Sequence, residues 1–264
     1  MKKNIFCLII LAISIIAFTI YNQYNKATED NIPPKVTCEE KTITASVSVT
    51  DEELISGIVA TDDRDGDVSK SLVIEDKSNF IDENTRIVTY CAIDKSMNVS
   101  RIERTLIYTD YEPPRFELSE PLSFVVGSKI NFLGNVSATS TLDGDLTKRI
   151  RYGLETMVDN MAPGTYPIEF RVADSCGKIS YLNTEVEVYD RTFAGIEVRL
   201  SDYIVYLPKG AKFNAEDYYK GSNVEGELTI ESDVNTKNVG TYHAEYIVHG
   251  INASGKSRLI VVVY

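Results

Sequence analysis

The chain has 264 residues, with 27 Lys and Arg against 39 Asp and Glu and a formal net charge of −12 at pH 7. That acid excess argues against nucleic acid as a partner, because gripping phosphates needs a basic footprint that releases counterions. Two histidines, His243 and His249, and no Trp leave little material for a His-rich metal site or for His-dependent nucleophilic catalysis.

At the N-terminus, Lys2 and Lys3 precede an uncharged run from Ile5 to Tyr21, rich in Ile, Leu, Ala and Phe. At about 1.5 Å per residue the run reaches roughly 25 Å, the short end of what crosses a bilayer core. A cleaved secretory signal and an uncleaved signal anchor compete for this segment. Tyr21-Asn22-Gln23-Tyr24-Asn25-Lys26-Ala27 offers no small-x-small cleavage pair, and Cys7 lies too early for a lipoprotein signal, so we favour the anchor. Lys2 and Lys3 before the span and Glu29 and Asp30 after it place the N-terminus in the cytoplasm and the C-terminal domains outside, in the cell membrane. Residues 22–31 read as a polar juxtamembrane linker ending at Pro33-Pro34.

Beyond the linker the chain repeats itself at a period near 80 residues. Pro33-Pro34-Lys35-Val36 returns as Pro113-Pro114-Arg115-Phe116. Ala60-Thr61 with Asp65-Gly66-Asp67-Val68 returns as Ala138-Thr139 with Asp143-Gly144-Asp145-Leu146, and in worn form as Glu225-Gly226-Glu227-Leu228. Gly164-Thr165-Tyr166 matches Gly240-Thr241-Tyr242, and Asp94 answers Asp174. Landmarks in constant order divide the chain into modules at 32–110, 111–191 and 192–264.

Each module reads as strands. Ile168-Glu169-Phe170-Arg171-Val172 and Thr184-Glu185-Val186-Glu187-Val188 alternate apolar and polar, and Leu259-Ile260-Val261-Val262-Val263 reads as a strand buried on both faces. Pro167 suggests a strand start or a bulge. No stretch after residue 21 carries an amphipathic helical stripe, so the fold class is all-β: three tandem antiparallel sandwiches after one N-terminal helix. The short linkers 108–112 and 188–192 favour a semi-rigid rod on the order of 100 Å long.

The order Pro-Pro, Ala-Thr-Asp, Asp-Gly-Asp, Gly-Thr-Tyr, strand-ending Asp and Val-rich closing strand resembles the bacterial immunoglobulin-like domains found in tandem on cell-surface proteins of Gram-positive bacteria, including the type seen in a pesticidal crystal protein. The resemblance covers residues 34–264. It implies an Ig-like sandwich with roles in adhesion, spacing or ligand display, and no catalytic residues. The first module departs from it at Met97-Asn98, where Gly-Asn is the pattern, and the third offers His249-Gly250 in place of the strand-ending Asp.

Among chemical candidates, Asp62, Asp63, Asp65 and Asp67 form the one carboxylate cluster that invites calcium. The spacing fails the EF-hand loop, and the second module replaces Asp62 and Asp63 with Ser140 and Thr141, so a tight turn with local capping bonds is the simpler reading. We therefore expect no metal, no cofactor and no catalytic site. A Cys38–Cys91 bridge stays open, although Tyr90 in the core phase turns Cys91 to the other face. His243 sits on the polar phase of its strand and reads as exposed. Tyr203, Tyr206, Tyr218 and Tyr219 are not assigned to a core by phase, which makes the third module the preferred ligand surface. Asn98, Asn135 and Asn252 head Asn-x-Ser sequons that we read as coincidence. The expected function is a non-enzymatic, membrane-anchored extracellular stalk for adhesion or protein–protein contact, its partner an extracellular protein or glycan. A purely structural spacer and a carbohydrate-binding module are the alternatives.

Overall fold

In a computed structural model of the chain, residues 9–26, 29–155 and 157–264 are described in full, and 2–8, 27 and 28 as helix backbone alone. Helix α1 spans Lys2–Thr28 and so continues past Tyr21 into the stretch read as linker, where no Gly or Pro stops it. The expected apolar span begins at residues 5–8, whose side chains lie outside the described residues. Among the described residues no helix is long and apolar enough to cross a membrane. Two compact units make up the chain, Met1–Thr109 and Asp110–Tyr264.

In the first unit, β1 (Lys35–Cys38), β3 (Ile58–Asp62) and β4 (Gly66–Asp67) form one sheet. The other consists of β2 (Thr42–Ala45), β5 (Val73–Asp82), β6 (Thr85–Ile93) and β7 (Val99–Tyr108). The opening strand is shared between the sheets: β1 runs antiparallel to β3, then β2 crosses over to lie parallel to β7. A short helix, α2 (Asp51–Ile55), breaks the all-strand expectation. Thr50 caps it by accepting from the Glu53 N–H, and the Glu53 carboxylate in turn accepts from the Thr50 N–H. Ala60, Val88, Tyr90, Ala92 and Leu106 are fully buried in the core. The Tyr90 hydroxyl donates to the Leu54 carbonyl at 3.0 Å, and the buried Arg104 guanidinium donates to the carbonyls of Glu40, Leu54 and Ser56. A buried cation with three of its donors on backbone carbonyls fastens α2 to the sheet.

The second unit holds the same arrangement twice. In its first sandwich β8 (Arg115–Leu118), β10 (Val136–Ser140) and β11 (Gly144–Asp145) face β9 (Ser123–Val125), β12 (Arg151–Leu154), β13 (Gly164–Ala173) and β14 (Ile179–Tyr189), with β9 parallel to β14. In the other, β15 (Val198–Leu200) and β17 (Tyr219–Ser222) face β16 (Ile204–Leu207), β18 (Glu227–Ser232), β19 (Gly240–His249) and β20 (Ser254–Val263), with β16 parallel to β20. Pro167 neither starts nor bulges a strand. Its β13 keeps unbroken register with β14 (Pro167 opposite Glu185), and pairing with β12 has already ended at Leu154 opposite Ile168. The missing N–H therefore costs no ladder bond on the β12 side.

These two sandwiches share a joint. Along β20, Leu259, Val261 and Val263 enter the core of the last sandwich, while Ile260 and Val262 enter the core built from Phe116, Phe170, Leu182 and Val186. That is why the closing strand is apolar at consecutive positions: alternate side chains fill two different interiors. Tyr203 packs against both cores. The Tyr206 hydroxyl accepts from the Phe116 N–H at 2.8 Å, and burial pushes its pKa up to about 12. The Arg115 guanidinium lies over the rings of Tyr206 (5.3 Å) and Tyr264 (5.2 Å). An ion network closes the joint: Lys256 bridges Glu187 (2.5 Å) and Glu245 (3.0 Å), and Arg258 bridges Glu185 and Glu245 (3.3 Å each).

Candidate metal centre

Three aspartates from three separate segments of the first unit converge. Asp30 precedes β1, Asp62 ends β3, and Asp94 follows β6. One carboxylate oxygen of each lies within 4.8 Å of the others, and all three residues are buried, with 8%, 8% and 4% of their surface exposed. Donors from the backbone set each orientation. Asp62 Oδ1 accepts from the N–H groups of Arg64 and Asp65 (2.9 Å each). Asp30 Oδ1 accepts from the Ile32 N–H, and Asp94 Oδ1 from the Asn98 N–H. The Asn98 amide then locks the group together, donating to Asp94 Oδ2 (2.8 Å) and to the carbonyl of Asp30 (3.1 Å). Asp62 Oδ2 is buried and meets no hydrogen-bond donor. Among the described residues no lysine or arginine pairs with any of the three carboxylates.

The turn that presents Asp94 is strained. Met97 adopts φ 70°, the only non-glycine with positive φ among the described residues, and the equivalent position of the second module is Gly177 at φ 80°. Left-handed backbone costs a residue with a Cβ about 1–2 kcal/mol.

In the second module the same place is built differently. Ser140 stands where Asp62 does and keeps only the turn bond, accepting from the Leu142 N–H. Asp174, the counterpart of Asp94, accepts at Oδ2 from the Tyr111 hydroxyl at 2.6 Å and at Oδ1 from the N–H groups of Cys176 and Lys178. Burial, then the bond to Asp174, raise the Tyr111 pKa far above the usual phenol value, so the phenol stays a neutral donor. The third module has no Asp at this strand end.

The expected Asp62–Asp67 cluster thus separates. Asp62 joins Asp30 and Asp94, whereas Asp65 accepts from the Lys95 N–H and ammonium and Asp67 from the Ser69 N–H, bonds that hold both carboxylates below the usual range. Asp63 is exposed. The turn reading holds for Asp65 and Asp67; for Asp62 it is half the answer. Asp30 and Asn98 escaped the sequence reading, the first as part of a linker and the second as a sequon.

Other sequence expectations change as well. Cys38, Cys91 and Cys176 are free thiols. His243 is half-buried rather than exposed: its Nε2 lies 3.1 Å from Thr184 Oγ1 across the joint, towards which the polar phase of β19 turns. The unassigned tyrosines are structural: Tyr203 and Tyr206 build the joint, and Tyr218 and Tyr219 pack against the core of the last sandwich, Tyr218 stacking on Phe213 (5.7 Å). An open groove beside the joint carries Glu155, Glu169, Glu185 and His243, but Glu185 is committed to Arg258.

Fold and layout define a mostly-β chain whose sheets pair into repeated sandwiches. No family model matches the sequence. An uncharacterized 81.3 kDa protein of Acholeplasma phage L2 is 21% identical over 187 residues, which is 68% of this chain and 25% of that protein, so the chain spans a quarter of that relative's length. Among solved structures, mouse cadherin-23 EC22-24 matches at 14% identity over 88% of this chain and 99% of that one, with a TM-score of 0.22. Protocadherin gamma B2 extracellular cadherin domains 1–5 match at 11% identity over 88% and 60%, with a TM-score of 0.20. A CBM51-2 and INT-domain structure from Clostridium perfringens ZmpB, in complex with GlcNAc, matches at 14% identity over 87% and 41%, with a TM-score of 0.23. Scores this low lend the chain neither a site nor a function.

Proposed function

We propose that this chain is a non-enzymatic, extracellular binding or adhesion protein, a stalk of Ig-like sandwiches tethered at the bacterial cell surface by α1 and engaging an extracellular protein or glycan. The observation that carries the reading is the joint between the last two sandwiches. A strand shared by two cores and a buried ion network fix the angle between neighbours, which suits a chain that must hold a distal surface at a set distance and transmit load. Support for the tether comes from α1, on which Ile9, Leu11, Ile13, Ile16, Phe18 and Ile20 are each more than half exposed, an apolar surface that a bilayer would cover. Lys2 and Lys3 ahead of the apolar run favour a cytoplasmic start for it.

The same joint serves a spacer that binds nothing, so the two readings part only at the ligand. The test uses the full chain reconstituted in nanodiscs. Flotation with phosphatidylcholine vesicles checks the tether, and saturable attachment to intact bacterial or animal cells, or to immobilised glycans, checks adhesion. Saturable attachment supports the adhesive reading. Flotation with no attachment to any surface leaves the spacer, and failure to float removes the tether.

A further inference from the structure

We propose that Asp30, Asp62 and Asp94 form a calcium site in the first module. This inference is independent of the adhesive reading, since it concerns one module and no outside partner. Three observations carry it. Buried carboxylates repel one another, and burying charged groups without a counter-charge is costly, so three within 4.8 Å favour a cation among them. Asp62 Oδ2, on a residue only 8% exposed, has no donor, whereas Oδ1 of the same group accepts from two N–H groups. That leaves Oδ2 as the oxygen Asp62 brings to the other two. Each residue also has an outer layer of donors, Ile32, Arg64, Asp65 and Asn98, which fixes the carboxylates as metal ligands are fixed.

Size and chemistry select the ion. An all-oxygen donor set suits a hard cation, and Ca–O distances of about 2.3–2.6 Å allow ligand oxygens to stand up to roughly 5 Å apart across the ion. Magnesium, at about 2.0–2.1 Å, closes its octahedron within roughly 4.2 Å and demands stricter geometry. Three carboxylates supply part of a calcium shell of six to eight oxygens, and water completes it.

The second module reports the same conclusion from the other side. There Ser140 removes one carboxylate, and the Tyr111 hydroxyl donates to Asp174. A neutral donor replaces the cation once one of the negative charges is gone. In the first module the residue aligned with Tyr111 is Asn31, and Asp94 Oδ2 takes its donor from Asn98 instead, but the third carboxylate is present and its Asp62 Oδ2 has no donor. Because Asp30 belongs to the segment between α1 and β1, a bound ion would clamp that segment to the ends of β3 and β6.

The experiment strips the full chain in detergent with EDTA, then titrates calcium and, separately, magnesium by calorimetry, with thermal melting in parallel. Expected is one saturable calcium site per chain, at least tenfold tighter than any magnesium binding, and a higher melting temperature in calcium than in EDTA. Asp62→Asn keeps the Oδ1 turn bonds, so it folds. It should lose calcium affinity by at least tenfold and, in EDTA, melt higher than the parent because one like charge is gone. Asp62→Ser, which copies the second module, repeats the test with the turn bond retained. A heat-flat calcium titration of the parent, magnesium binding as tightly as calcium, or undiminished calcium affinity in a folded Asp62 variant would each overturn the proposal.

Discussion

Met97 shows how one residue can carry strain next to charge. It holds the left-handed conformation that Gly177 holds in the second module, and it is 74% exposed, so its side chain returns little packing. Met97→Gly should therefore raise the stability of the first unit by about 1 kcal/mol, the relief of the Cβ clash less the extra freedom of glycine in the unfolded chain. Urea denaturation checks this, and an unchanged or lower midpoint would show that the turn is not strained. The mismatch was legible in the sequence as a departure from Gly-Asn, yet its neighbour's importance was not. Asn98 looked like a chance sequon because its three acceptors, on Asp30, Ile32 and Asp94, come from segments far apart along the chain. The same holds for the aspartates: Asp30 and Asp62 stand 62 − 30 = 32 residues apart, and Asp62 and Asp94 another 94 − 62 = 32. Reading for clustered acids drew the eye to Asp62–Asp67, where backbone N–H groups already satisfy Asp65 and Asp67.

Strand β20 is the element that decides how the last two sandwiches behave. Its dense apolar run was legible as burial on both faces, but a sequence does not say which core covers the second face. Ile260, 2% exposed, belongs to the core of the preceding sandwich, although it is borne by the following one. Ile260→Ala should cost about 3 kcal/mol, the usual loss for deleting a buried Ile down to its Cβ. Its signature lies in amide exchange: β13 and β14, in the preceding sandwich, should exchange faster together with β20. Acceleration confined to β19 and β20 would mean that each sandwich opens alone and the shared strand does not couple them. The tyrosines follow from the same geometry. Tyr203 and Tyr206 escaped assignment because their strand phase is that of a joint, a surface that alternation cannot tell from one facing water.

At the scale of the whole second unit, the joint concentrates charge away from water, and this ties stability to pH. Burial pulls the Lys256 ammonium down, and its bonds to Glu187 and Glu245 outweigh that, so its pKa ends above the usual value and the ammonium stays charged. His243 goes the other way. Burial first, and the Arg258 guanidinium second, hold its pKa below the usual 6.5, while Asp233, Glu185 and Glu245 oppose them only in part. The folded chain thus refuses a proton that the unfolded chain accepts. Above about pH 6.5 neither state is protonated and His243 contributes no penalty; as pH falls from there towards the lower folded value, the unfolded state binds the extra proton and stability declines. The informative quantity is the difference between parent and variant, which isolates His243 from every other group. His243→Gln, which keeps a polar group opposite Thr184, should flatten the decline between pH 7 and pH 5 in melting of the second unit. If the two proteins lose stability in parallel across that interval, His243 is not held neutral by the joint, and the apposition of β14 and β19 is looser than Thr184 and His243 at 3.1 Å imply.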